Sequence, residues 1–249
     1  TMADTKGKKR KREGRQATQD EQLLESPRQD EFTHTDTWRV FRIMGEFVEG
    51  FDDLATVTRG VSIFGSARTP GDHPYYAAAQ ETAALLSKAG FAVITGGGPG
   101  IMEAANRGAY EAGGMSVGCN IRLPFEQTHN KYMHKWMTFD HFFTRKTLLI
   151  KYSYAFIIMP GGFGTMDELF ETLTLVQTKT ITSFPIVMFG KSFYKELWEA
   201  MHDFAKKGTI AEEDMDLVLL TDDVSEAMAH IRKYIQTNYK VRPRKPRRW

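Results

Sequence analysis

Cysteine is almost absent: Cys119 is the one example in 249 residues. An intramolecular disulfide framework and a cysteine-rich zinc site are therefore excluded, and a reducing, cytoplasmic setting is expected. Long apolar runs are missing as well. The strongest, 155–159 and 185–189, fall far short of the ~20 residues a membrane helix needs, so no membrane partner is expected. The seven histidines show neither H-E-x-x-H nor another metal-ligand spacing, and no metal is expected. Two further motifs are lacking: the G-x-S-x-G nucleophile elbow and the G-x-x-x-x-G-K-[ST] loop of nucleoside triphosphatases. The basic N-terminal stretch is not followed by an apolar core, so it does not read as a secretory signal.

Charge is present but unevenly placed. The net +2 conceals a basic segment 1–16, with seven cations against two carboxylates, and a C-terminal segment 240–249 with six cations and no acid. Residues 17–239 hold 20 basic and 29 acidic groups, a net of −9. Like-charge blocks without apolar periodicity read as solvated tails that offer at most weak contact to nucleic acid. The expected organisation is a basic, disordered tail over 1–34, one domain over 35–239, and a second basic tail over 240–249.

Within that domain, apolar residues from Trp38 to Leu54 recur at helical spacing and predict a long amphipathic helix. Then short apolar runs alternate with helical stretches. Strands are predicted at 61–64, 91–95, 115–121, 155–159 and 185–189, with helices at 74–89, 100–112, 141–152, 165–178, 192–206 and 223–239. This alternation defines βαβ units. The fold class expected is α/β: a Rossmann-like, doubly wound parallel sheet with helices on both faces, in a single domain. Sites in such folds lie at the carboxyl ends of the strands. Three places qualify: Gly65-Ser66, Gly96-Gly97-Gly98, and Gly161-Gly162-Phe163-Gly164-Thr165.

The last of these runs from a strand through glycines into a helix, which lets several backbone N–H groups converge on an anion. Thr165 can cap that helix and also donate to a phosphate. The stretch Thr95 to Asn106 repeats the design, but its spacing departs from G-x-G-x-x-G and no acid follows to grip a ribose of NAD. A mononucleotide suits it better. Asp167 and Glu168 follow in what reads as the first helical turn, where either the helix dipole or chemistry accounts for a carboxylate. Beside a sugar phosphate, a carboxylate can polarise a ribose hydroxyl and stabilise an oxocarbenium-like transition state, and Glu168 is the first choice. Arg145-Lys146 read either as a solvated pair or as a phosphate clamp. Cys119 reads as a small buried hydrophobe.

Together these residues resemble the LOG ("Lonely Guy") family of cytokinin riboside 5′-monophosphate phosphoribohydrolases and its longer bacterial nucleotide nucleosidases. The P-G-G-x-G-T-x-x-E signature is carried by 160–168, the upstream glycine motif by 96–105, and the Arg-Lys pair by 145–146. The resemblance implies hydrolysis of a nucleoside 5′-monophosphate, AMP or a cytokinin nucleotide, to free base and ribose 5-phosphate, with no cofactor. It implies Arg145 and Glu168 as the catalytic pair, with Gly161, Gly162, Gly164 and Thr165 around the 5′-phosphate. The resemblance further implies that Gly65, Ser66, Gly97, Gly98, Met102 and Lys146 line the rest of the pocket. It also implies a homodimer or larger homo-oligomer with sites near the subunit interface. Such proteins often carry the label lysine decarboxylase, but no lysine here sits in a recognisable pyridoxal phosphate setting. Molybdenum-cofactor carriers are similar too, so a non-catalytic carrier is the alternative.

Overall fold

A computed structural model describes residues 17–24, 35–124, 129–181 and 184–239. Most of the expected tails, 1–16, 25–34 and 240–249, lie outside the described residues.

Seven strands form one parallel sheet: β1 (Gly60–Phe64), β2 (Ala92–Thr95), β3 (Ser116–Ile121), β4 (Lys135–Phe139), β5 (Ser153–Ile158), β6 (Ile186–Phe189) and β7 (Val218–Thr221). Their order is β4-β3-β2-β1-β5-β6-β7. The chain winds outward from β1 to β4, returns beside β1 as β5, and winds the other way. The order therefore reverses between β1 and β5, and the carboxyl ends of those two strands form the crevice where such sheets bind ligands.

Helices cover both faces, as the nearly unbroken apolar strands require. Alternation along each strand splits the core in two. On β5, Phe156 and Ile158 belong to one cluster and Ala155 and Ile157 to the other. The first cluster receives α2 (Asp36–Leu54), α5 (Phe142–Tyr152), α6 (Phe163–Gln177) and α7 (Lys191–Lys206) through Leu54, Leu148, Leu169 and Tyr194. The second receives α3 (Pro74–Lys88), α4 (Ile101–Glu111) and α8 (Val224–Tyr239) through Ala79, Ile101 and Ile231.

Two strands escape sequence reading. β4 is an edge strand in which Met137 and Phe139 are buried while Trp136 is exposed, too short an alternation to register. β7, at the other edge, has four residues and follows an acidic 3-10 turn over Glu212–Leu217. Within the expected N-terminal tail, Gln19–Leu23 forms a short helix, α1, capped reciprocally by Thr18 and Glu21.

Candidate active site

The two crevice strands are tied at their carboxyl ends. The Met159 N–H donates to the Phe64 carbonyl (2.8 Å), and the Ser66 N–H to the Pro160 carbonyl (2.9 Å). The Ser66 carbonyl accepts from the Ile101 N–H at 3.0 Å, bringing the start of α4 to the same point. Gly100 caps α4 at φ +67°, where a Cβ would stand 2.4 Å from the Ser66 carbonyl oxygen. That position needs glycine for its backbone angle and its closeness alike. Gly65 lies against Ile101, and Met102 faces Gly96. The Gly65-Ser66 turn and both glycine loops thus meet at the sheet's switch point.

α6 begins at Phe163, two residues before the sequence suggests, with Gly162 as its N-cap and no side-chain cap. Thr165 is therefore inside the first turn rather than at the cap. Its buried side chain stands over Gly161, where a Cβ would lie 2.1 Å from Oγ1. Asp167 and Glu168 accordingly move past the first turn, which weakens the helix dipole as the reason for them. The uncapped N-terminus beside Gly161 and Gly162 retains the character of an anion site.

The two carboxylates part company in the fold. Asp167 is half exposed and pairs with Lys146 at 2.8 Å. Glu168 points into the protein with 1% of its side chain exposed, and Oε1 lies 3.4 Å from Arg145 Nη2. Neither Oε2 of Glu168 nor Nε of Arg145 has a hydrogen-bond partner among the described residues. Burial pushes the Glu168 carboxyl up to about 7, against the pull of Arg145 and Lys146. The Arg145 guanidinium lies over the Phe142 ring, 5.1 Å from its centroid, a cation–π contact. The lysine beside this pair does not suit a Schiff base. Burial tends to lower the Lys146 ammonium, but its hydrogen bonds to Asp167 and Glu171 prevail and hold it charged, above the ordinary lysine range. A pyridoxal phosphate aldehyde needs a lysine that gives up its proton.

Arg145 and Lys146 owe their direction to α5. The preceding turn is held from outside the helix, since His141, the N-cap, makes no capping bond with its side chain. Glu46 of α2 accepts the backbone N–H of Asp140 and that of His141 (3.2 Å), and its Oε2 meets His141 Nδ1 at 2.7 Å. Asp20 of α1 accepts the Phe142 N–H at 3.2 Å. These partners lie about a hundred residues away in sequence, and no local pattern announces them.

Below the first glycine loop lies a second group that sequence reading passes over. Thr95 Oγ1 accepts the Gly97 N–H at 2.9 Å and donates to Asn106 Oδ1 at 2.6 Å. Asn130 Nδ2 donates to Asn106 Oδ1 (2.9 Å) and to the Gly98 carbonyl (3.0 Å). One signal was available: Asn106 stands on the apolar face of α4 among Ala104, Ala105 and Ala109. Cys119 is buried in β3, and burial raises its thiol to about 12, which suits a packing role rather than a nucleophile.

The architecture is that of a doubly wound α/β protein whose glycine turns meet at the switch point. Residues 102–231, just over half the chain, match the family described as "Possible lysine decarboxylase", and the chain belongs to that family, which is the LOG family. A cytokinin riboside 5′-monophosphate phosphoribohydrolase from Mycobacterium tuberculosis is 28% identical over 153 residues, 60% of this chain and 81% of that protein. A protein of the same name from Rhodococcoides fascians is 25% identical over 178 residues, 70% and 89%. The molybdenum cofactor carrier protein of Chlamydomonas reinhardtii superposes with a TM-score of 0.52 at 22% identity, covering 72% of this chain and 98% of that one. A molybdenum cofactor binding protein from Rippkaea orientalis gives 0.53 at 20%, covering 72% and 97%. At these identities the structural likenesses establish the fold. No helix among the described residues is long and apolar enough to cross a membrane.

Proposed function

We propose that this chain hydrolyses the N-glycosidic bond of a nucleoside 5′-monophosphate, AMP or a cytokinin riboside monophosphate, releasing free base and ribose 5-phosphate. The observation that carries this reading is the buried Arg145–Glu168 pair, whose Glu168 Oε2 has no hydrogen-bond partner among the described residues, beside the uncapped start of α6. The 5′-phosphate sits on the backbone of Gly161, Gly162 and Gly164, with Thr165 in support. Gly65, Ser66, Gly97, Gly98 and Met102 line the remainder of the pocket, and Lys146 adds positive charge at its edge.

Ionised Glu168 accepts a hydrogen bond from a ribose hydroxyl and stabilises the positive charge that grows on the sugar as the base departs. Arg145 orients the carboxylate and offsets part of the cost that burial places on its charge. Water adds its oxygen to the anomeric carbon, the C–N bond breaks, and the departing base takes up the proton that water releases. The reaction consumes no cofactor. The relatives named as phosphoribohydrolases support the reaction class, and binding alone does not call for a buried carboxylate paired with Arg145. A homodimer that covers the exposed apolar residues near the site completes the reading, and a cytoplasmic location suits the lone cysteine.

The test is chromatography of the protein incubated with AMP, beside Glu168→Gln. Adenine and ribose 5-phosphate are expected from the wild type, with turnover reduced at least about a hundredfold in the variant. Wild-type rates in Glu168→Gln would remove the carboxylate from the mechanism. An inactive wild type that retains a co-purified phosphorylated cofactor would favour the carrier.

A further inference from the structure

We propose that Thr95, Asn106 and Asn130 act as positioning residues that fix the Gly97–Gly98 loop as a rigid floor of the nucleotide pocket; this rests on the nucleotide reading of the site.

Each polar side-chain atom of Thr95, Asn106 and Asn130 has a hydrogen-bond partner, whereas the neighbouring Asn120 Oδ1, beside Gly97, has none among the described residues. Asn106 Oδ1 accepts twice, from Thr95 Oγ1 (2.6 Å) and Asn130 Nδ2 (2.9 Å). Its Nδ2 donates twice, to Ser116 Oγ (2.8 Å) and the Val117 carbonyl (3.2 Å). Asn130 Oδ1 accepts the Tyr132 N–H at 3.1 Å. Each amide can face only one way, because turning either would set oxygen against oxygen. Thr95 and Asn106 are wholly buried and Asn130 nearly so. A polar network of this kind stabilises a fold only when fully satisfied, and it then specifies one arrangement of whatever it holds.

What it holds is mainly the loop. The Gly97 N–H goes to Thr95 (2.9 Å), the Gly97 carbonyl accepts the Asn130 N–H (3.0 Å), and the Gly98 carbonyl accepts Asn130 Nδ2 (3.0 Å). Gly97 is thereby kept at φ +72°. The loop stands opposite the reacting groups: a Cβ on Gly96 would lie 4.0 Å from Arg145 Nη1. Asn130 also anchors the chain segment that follows residue 129 to this floor. A preorganised floor lowers the ordering cost of binding, so its loss weakens substrate capture more than it slows bond cleavage.

Thr95→Val removes the hydroxyl and keeps the shape, while Thr95→Ser keeps the hydroxyl. In the full chain, Thr95→Val is expected to raise KM for AMP about tenfold, the equivalent of one buried hydrogen bond, with little change in kcat. Hydrogen–deuterium exchange at the 96–100 backbone should rise by a similar factor, and Thr95→Ser should restore both. Asn130→Asp, which cannot donate to Gly98, should follow Thr95→Val. Unchanged exchange and KM in both variants would overturn the proposal, as would a fall in kcat at constant KM. A Thr95→Ser variant that behaves like Thr95→Val would overturn it too, since the methyl group's packing would then be responsible. If the wild type releases no base, Kd for AMP by calorimetry replaces KM. A wild type that neither cleaves nor binds AMP overturns this proposal together with the nucleotide reading, whereas an active wild type matched by its variants overturns this proposal alone.

Discussion

Glu168 links stability to chemistry at a single side chain. Its carboxyl titrates at about 7 in the folded chain against an ordinary 4.5, because burial penalises the charged form more than Arg145 relieves it. Between those values the folded state binds more protons than the unfolded state, so stability falls as pH rises from 4.5 to about 7 and stays lower above. Glu168→Gln removes this penalty. The variant should be about 2–3 kcal/mol more stable than wild type at pH 8 and nearly equal at pH 4.5, by urea denaturation at both. Equal stability at pH 8 would mean that Glu168 ionises at no cost. Under the proposed hydrolysis, kcat/KM should climb as pH passes through about 7, since only the ionised carboxylate stabilises the ribosyl cation. A flat profile from pH 6 to 8 would tell against that role. The sequence singles out Glu168 and Asp167 together; the structure separates them, one buried against Arg145 and the other exposed on Lys146.

Elements decide where these side chains point, and α5 shows how. Its start receives carboxylates from α1 and α2, and Glu46 alone serves two backbone N–H groups and the His141 ring. Glu46→Ala leaves those groups unmet in a largely buried place, at a cost of about 2–3 kcal/mol in thermal or urea unfolding. A loss below ~0.5 kcal/mol would show that the turn holds itself. The long helices were legible from their apolar period, and some also from a stop such as Gly90 after α3 at φ +86°, whereas the five-residue α1 was not. The start of α6 was misplaced because its N-cap is a glycine without a side-chain signal. Edge strand β4 was missed since its apolar alternation is so short, and β7 since its apolar run, Leu217–Leu220, is only four residues long and directly follows an acidic turn.

At the scale of the whole molecule, large apolar side chains are exposed on α2, α5 and α6 among the described residues. Phe41, Met44, Val48 and Phe51 form an exposed face of α2, and Phe142, Phe143 and the 97%-exposed Phe163 lie on α5 and α6. Surfaces of this kind mark contact sites, and a second copy of the chain is the partner the family resemblance implies. Sedimentation should show a dimer or larger assembly, and Phe41→Glu with Val48→Glu should shift it toward monomer. A monomeric wild type at micromolar concentration would exclude that assembly.

Sequence by itself determined the alternation of strand and helix, the parallel sheet, the glycine turns and the residue types of the cleft, because periodicity and turn chemistry act over a few neighbours. Only the tertiary structure decided which carboxylate is buried, which distant carboxylates hold α5, and how Thr95, Asn106 and Asn130 meet under the glycine loop. Burial and long-range hydrogen bonds are properties of elements brought together across the sheet; a polar residue on an apolar helix face, such as Asn106, signals that a partner exists, but no local pattern says which.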